Sequence, residues 1–335
     1  MIDVLVDADV LGRQRTGDET YVLNLLRALP SAAPDLKFAA VTRKPELVPA
    51  GIEPLELAAG SQEWRMAWSL PRLLRRLRPQ VAHFQHSLPL RGGVKSVLTV
   101  HDLSFEREPD LMGRKDRFVF RTVVPRSARR ADRVIAVSDR TRDDLADLYG
   151  IPESEVTVIP HGVDPVFTPG ERLGDGGYLL VVGAVQRRKD PRAAVDAANE
   201  LGMPVVVVGP EREPSLAREL RALGAELRGY VDHDELAQLY RDASALVVPS
   251  RYEGFGLPVL EAMASGTPVV AAPDPALVEV AGEAAIFADQ GDLSGSILFA
   301  LDRREALREA GIAHAARFSW ATAARRTAEV YRSLL

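Results

Sequence analysis

The sequence predicts an α/β chain built from two doubly wound parallel-sheet domains. Three observations carry that reading. Short Val- and Ile-rich runs alternate with amphipathic stretches from end to end. Such alternation implies strands and crossover helices, hence parallel sheets covered on both faces. The strand candidates fall into two successive series. Between them, DPVFTPGERLGDGGY is rich in Pro and Gly and poor in apolar residues, placing the boundary at 165–176.

In chain order, the first series is expected at 2–8, 37–42, 80–85, 96–101, 133–138 and 156–160. The second is expected at 178–184, 204–209, 225–230, 245–250, 268–272 and 284–288. Helical spacing marks 19–29, 139–149, 190–201, 215–223 and 232–243, the last opening on Asp232 and Glu235 as a capping box. The closing segment from Ser319, SWATAARRTAEVYRSLL, reads as a capped amphipathic helix with no strand after it. The expected division is 1–165, 166–318 and the final helix 319–335.

Composition narrows the function classes. At 335 residues, with 46% hydrophobic and 27% charged residues, the chain suits a soluble globular protein. It has no cysteine, which excludes disulfides, a thiolate nucleophile and Cys-bound metal. No apolar run is long enough for a membrane span, and MIDVLVDADV reads as a strand rather than a signal peptide, so a cytoplasmic protein is expected. The net charge of −5 hides an asymmetry: residues 62–133 hold 16 basic and 7 acidic groups. That field attracts anionic partners, while the pI of 5.8 argues against a general nucleic-acid binder.

The most informative stretch is SRYEGFGLPVLEAMASGTPVV at 250–270. The run ALVVPS leads in as a strand. A glycine turn, Gly254-Phe255-Gly256-Leu257, follows, and Pro258 suits a first helical position. The N–H groups of Gly256, Leu257 and Val259 would open the helix toward a phosphate. Glu253 and Glu261 lie eight positions apart, and a carboxylate near that mouth should face hydroxyls. A sugar nucleotide offers a diphosphate and hydroxyls together.

This string resembles the Glu-x7-Glu motif of retaining glycosyltransferases of the GT-B fold, in particular glycosyltransferase family 4. The resemblance implies two Rossmann-like domains facing a cleft, an acceptor-side first domain, a nucleotide-sugar-binding second domain, and a final helix crossing back. It implies transfer of a sugar from a nucleotide-diphosphate sugar, with GDP-mannose and UDP-sugars as donor guesses, to a hydroxyl of a glycan or lipid-linked glycan. Glu253 would contact the transferred sugar and Glu261 the ribose. No cofactor and no metal are expected beyond the donor co-substrate. The competing readings are a non-catalytic sugar-nucleotide binder, a phosphorylase and a sugar-nucleotide epimerase on the same architecture.

Further motifs fit that resemblance. YLLVVGAVQRRKD at 178–190 is a strand, then Gly183, then Arg187, Arg188 and Lys189. It is similar to a family pattern ending Arg-Lys-Asn, with Asp190 in place of Asn, so Arg188 and Lys189 would grip the diphosphate. Fixed cations there would stabilise the charge that the leaving group gains. Asp190 adds a negative charge beside that grip. SVLTVHDLSF places His101 at a strand end, where the family carries a histidine near sugar and acceptor. His83 and His86 have the spacing of a weak metal pair, with structural or acceptor-side roles preferred. In GRQRTGDETY, Gly17 would turn the loop, and Asp18 with Thr20 would cap a helix. Tyr230 and Val231 are the nucleobase candidates. Two Asp-x-Asp pairs, Asp7/Asp9 and Asp232/Asp234, offer a metal motif that the basic diphosphate site makes unnecessary.

A last expectation concerns the surface. Residues 62–78 set Trp64, Trp68, Leu70, Leu73, Leu74 and Leu77 among five arginines, and a second basic run spans Arg114 to Arg130. Such a segment either docks on an anionic membrane as a peripheral contact or packs its apolar side on the first sheet, with Pro71 interrupting the helix.

Overall fold

The computed structural model describes residues 2–13, 16–109, 114–171, 177–288 and 291–335. The chain divides into two units, Met1–Gly162 with Trp320–Leu335, and Val163–Ser319. The division falls a few residues ahead of the 165–166 boundary read from the Pro/Gly-rich segment. Positions 172–176 of that segment lie outside the described residues.

Among the described residues the first unit holds seven parallel strands: β1 Val4–Asp7, β2 Phe38–Thr42, β3 Glu53–Glu56, β4 Val81–Gln85, β5 Lys95–Val100, β6 Arg133–Ala136 and β7 Val156–Val158. Their order is β3-β2-β1-β4-β5-β6-β7. The chain thus works outward in both directions from β1, the doubly wound pattern, and the β1 and β4 ends flank the point where the order reverses. The edge strand β3 was not expected from sequence. Its residues, EPLE, are mostly exposed and lack the Val/Ile run that marks the others.

The 62–78 segment resolves the two surface readings unevenly. Leu70, Leu73 and Leu74 are buried in the core with Phe84, Leu98 and Val100, so most of the apolar side packs on the sheet. Pro71 does not break a helix. It sits in the first turn of helix Leu70–Leu77, after a π-helical turn Arg65–Ser69. Arg65 is fully buried rather than solvated, and grips Asp7 through Nη1 (2.9 Å) and Nη2 (2.5 Å). Trp64 and Trp68 remain about half exposed, with Arg72 stacked over Trp68. For the basic run at 114–130, the side chains of residues 114–116 and 118 lie outside the described ones.

Helix Trp320–Arg332 belongs to this first unit, where it packs on helix Thr16–Ala32. Its buried face is Trp320, Ala323, Ala324, Thr327, Ala328, Val330 and Tyr331. Three alanines in that face let the helix backbones approach closely, while the two aromatic residues supply apolar area.

Among the described residues the second unit holds six parallel strands: β8 Leu179–Val182, β9 Val205–Val208, β10 Glu226–Gly229, β11 Ala245–Val248, β12 Val269–Ala271 and β13 Ile286–Phe287. Their order is β10-β9-β8-β11-β12-β13. The order reverses beside β8 and β11, which pair directly. Their interiors are continuous apolar runs, as burial on both faces demands. Asp232 caps helix His233–Asp242 by accepting from the Glu235 N–H at 2.9 Å, as the capping-box pattern predicts.

Candidate functional site

In the second unit the β8 and β11 ends lie side by side, so the loops that follow them are neighbours. After β8 the chain passes Gly183, forms a tight turn Arg187–Lys189, and bends at Asp190 (φ +45°) into helix Pro191–Leu201. Asp tolerates that left-handed bend better than most residues because its short side chain bonds locally. After β11 come Arg251, Tyr252 and Glu253, then helix Leu257–Ala264.

Five bonds stitch the two loops together. The Arg251 N–H donates to Arg188 O (3.0 Å), and Arg188 Nη1 donates to Tyr252 O (2.6 Å). Lys189 Nζ donates to both Glu253 oxygens (2.6 and 2.7 Å), and Arg251 Nε donates to Asp190 Oδ2 (3.2 Å). Glu253 is buried. Burial alone would push its carboxyl up, but Lys189, Arg188 and a hydrogen bond with Ser250 hold it below the usual carboxylate range. Glu253 is therefore ionised at neutral pH, and two cations converge on one anion.

Gly256 opens the helix with φ +113°, and a Cβ there would lie 2.8 Å from Leu277 Cδ2. Only glycine fits both the backbone angle and the space. The N–H of Val259, expected to face a phosphate, donates instead to Gly256 O at 3.0 Å. It is the first internal bond of the turn and is removed from the expected set.

Glu261 is buried one turn into the helix and accepts from Tyr240 Oη at 2.9 Å. Burial raises its carboxyl to about 7; the Tyr240 bond and His233 act against that rise, and Asp164 adds to it. His233 Nδ1 lies 3.7 Å from Asp164 Oδ2. Tyr230 is exposed just past β10, and Val231 beside it is half-buried.

In the first unit, His101 is buried just past β5. Its Nε2 lies 3.0 Å from Gln85 Oε1, and its ring meets those of Tyr21 (4.7 Å), His86 (5.1 Å) and His161 (5.7 Å). Burial depresses its pKa to about 4, the nearby His86 adds to this, and Asp18 and Asp102 oppose it. The ring is neutral at physiological pH.

Three sequence readings need correction here. Gly17 is not a tight turn; it lies in the first turn of helix Thr16–Ala32. Asp18 is no cap either. It sits in that same turn with Oδ1 3.8 Å from His86 Nε2. His83 and His86 do not form a pair. His83 is wholly buried between Tyr331 Oη (2.6 Å from Nδ1) and Thr99 Oγ1 (2.7 Å from Nε2), with its pKa driven down to about 3 chiefly by burial. The Asp7/Asp9 pair is held by guanidinium groups: Arg65 on Asp7, and Arg43 (3.0 Å) and Arg13 on Asp9.

Sequence reasoning passed over His161, Arg251, Tyr240 and Asp164. His161 follows β7, so the rule that ligands gather at strand carboxyl ends would have found it. The others act through partners remote in sequence.

Residues 15–167 match the family model described as Glycosyltransferase Family 4, and residues 176–303 match Glycosyl transferases group 1. A D-inositol 3-phosphate glycosyltransferase of Acidothermus cellulolyticus is 38% identical over 61% of this chain and 54% of its own length. O-antigen chain mannosyltransferase B of Escherichia coli is 30% identical over 72% of this chain and 71% of its own. The chain thus spans little more than half the length of the first of these relatives. Among solved structures, sucrose-phosphate synthase from Thermosynechococcus elongatus superposes with a TM-score of 0.77 at 22% identity, over 99% of this chain and 98% of that one. Anabaena HepE in complex with UDP-glucose gives 0.76 at 15% identity, over 98% and 99%. Paired parallel sheets of this winding, the two matched models and the mannosyltransferase similarity agree: the chain is a member of glycosyltransferase family 4 with the GT-B fold.

Proposed function

We propose that this glycosyltransferase transfers a hexose, with retention of anomeric configuration and without a metal ion, from a nucleoside-diphosphate sugar to a hydroxyl of a glycan or lipid-linked glycan. The observation that carries the reading is the junction of the β8 and β11 loops, where Arg188 and Lys189 converge on Glu253. Both cations are half-buried, so a diphosphate docked there interacts with them at reduced dielectric.

The residues take distinct roles in this reading. Arg188 and Lys189 hold the diphosphate and stabilise the charge it gains as the glycosidic bond breaks. Bound phosphate competes with Glu253 for Lys189 and releases that carboxylate toward the transferred sugar. Glu261 serves the ribose, and Tyr230 with Val231 serves the base. On the family resemblance His101, a neutral imidazole, serves the sugar. The leaving phosphate helps deprotonate the acceptor on the same face. Similarity to a mannosyltransferase supports GDP-mannose as donor, and the UDP-glucose complex of a fold neighbour supports UDP-sugars.

Thermal-shift and calorimetric titration with GDP, UDP, GDP-mannose and UDP-glucose tests the reading. Saturable binding of one diphosphate, lost in Lys189→Ala, is the expected result, and transfer survives EDTA. No binding of any of the four, or transfer abolished by chelation and rescued by Mn²⁺, overturns it.

A further inference from the structure

We propose that Asp18, His86 and His101 form a zinc-binding site in the first unit. The three come from three neighbouring strand ends. Asp18 is in the helix that follows β1, His86 follows β4, and His101 follows β5; β4 pairs with both β1 and β5. Each residue brings one donor atom, and the three atoms lie within 4.8 Å of one another.

Around Zn²⁺, bonds of about 2.0–2.1 Å to nitrogen and oxygen place neighbouring tetrahedral donors about 3.3 Å apart. The Asp18–His86 separation of 3.8 Å is already close to that. The remaining contraction falls within side-chain rotation for Asp18 and His86, which are only partly buried. Two imidazoles and one carboxylate are a set that zinc accepts, with a fourth position open.

Two further features favour the metal. Gln85 Oε1 at 3.0 Å fixes the orientation of the His101 ring, as outer-shell partners do at metal sites. The backbone of His86 is held in turn by its amide N–H, which donates to Thr99 O at 2.9 Å.

The site differs from the Asp-x-Asp pairs, the first of which is held by arginines while Asp232 of the second caps a helix. It also differs from any metal that carries a donor diphosphate, since Arg188 and Lys189 already provide that charge. If His101 serves the sugar as proposed above, zinc at this site inhibits transfer. Zinc binding itself does not depend on that reading.

Calorimetric titration of ZnCl2 into the metal-stripped full chain, in a non-coordinating buffer, tests the proposal. Binding of one ion per chain is expected. His86→Asn suits the left-handed backbone at position 86 (φ +56°), and Asp18→Asn is nearly isosteric. Each should weaken zinc by more than the roughly 10–100-fold that loss of an outer-shell partner costs. His233→Ala, at the histidine–carboxylate pair of the second unit, should leave zinc affinity unchanged. No saturable zinc binding by the parent chain overturns the site. So does unchanged affinity in both Asp18→Asn and His86→Asn, or a loss confined to His233→Ala. Circular dichroism confirms that each variant is folded, and Asp18→Asn alone decides if His86→Asn is not.

Discussion

Arg251 Nε lies 3.2 Å from Asp190 Oδ2, so the carboxylate next to the basic turn Arg187–Lys189 has its own counter-ion. An aspartate beside the proposed diphosphate grip would by itself repel the ligand. The Arg251 pairing offsets that charge and ties the turn to the β11 loop, to which the Arg251 N–H is also bonded. Because Arg251 is about half exposed, the pair is worth under about 1 kcal/mol. Arg251→Ala should therefore weaken nucleoside-diphosphate binding only about three- to fivefold, within that range. Asp190→Asn on top of it should recover the loss. Calorimetry of the four members of the cycle checks this, and failure of Asp190→Asn to restore binding rejects the compensation.

Removing one half of the Lys189–Glu253 pair has a larger effect. Among the described residues, Lys189→Ala leaves the buried carboxylate with only Arg188, 3.9 Å away, as a nearby cation. Breaking a buried pair from one side costs about 3–5 kcal/mol, and the distant Arg188 places this case near the low end. Adding Glu253→Gln removes the stranded charge, so stability returns while diphosphate binding does not. Denaturant unfolding and calorimetry measure the two effects separately. A double variant as unstable as Lys189→Ala would show that the pair is not what holds Glu253.

The raised carboxyl of Glu261 has a pH signature. In the unfolded chain it titrates near 4.5, and in the fold at about 7. Between these values the folded state binds more protons than the unfolded one. Its contribution to stability is complete below about 4.5 and is lost as the pH rises through about 7. The buried histidines act oppositely: His83, at about 3, and His101, at about 4, lose stability as the pH falls below their ordinary 6.5. Glu261→Gln removes only the first effect. Its melting temperature relative to the parent should climb steadily between pH 4.5 and 7, then level off. A flat difference across that range would contradict the raised carboxyl.

On the first-unit surface, Trp64 and Trp68 are exposed beside Arg72, Arg75 and Arg76. Aromatic side chains next to arginines suit an anionic bilayer interface, where each cation adds about 1 kcal/mol. Vesicles with anionic headgroups should sediment the chain in a salt-sensitive way. Replacing the three arginines, or both tryptophans, should abolish it. Since Leu70, Leu73 and Leu74 are already packed on the sheet, neither change should lower the melting temperature appreciably.

Much of this was legible in the sequence because burial on both faces writes itself as Val/Ile runs. The runs at 204–209 and 245–250 announced β9 and β11 directly. β3 carries no such run, since an edge strand with exposed residues needs none. The spacing of His83 and His86 misled for a geometric reason. His83 lies within β4, whereas His86 lies past its end in left-handed backbone (φ +56°), so the two side chains do not share a strand face. His83 meets Tyr331 while His86 turns toward Asp18. Asp7 could not be read as an ion-pair partner, because Arg65 reaches it from 58 positions away. The glycine turn at 254–257 and the basic turn at 187–189 were readable because each is local. The bonds that join their two loops, made by residues 251–253, cross 61 to 64 positions.

The helix Trp320–Arg332 has a bearing on how the chain is made. It is a piece of the first unit delivered after the whole of the second. During synthesis the 163–319 unit emerges complete, while helix Thr16–Ala32 still lacks its covering partner and His83 lacks the Tyr331 hydroxyl. Domains encoded first usually finish first. Here the order is inverted, because the apolar face of helix Thr16–Ala32 has no cover until helix Trp320–Arg332 has been made.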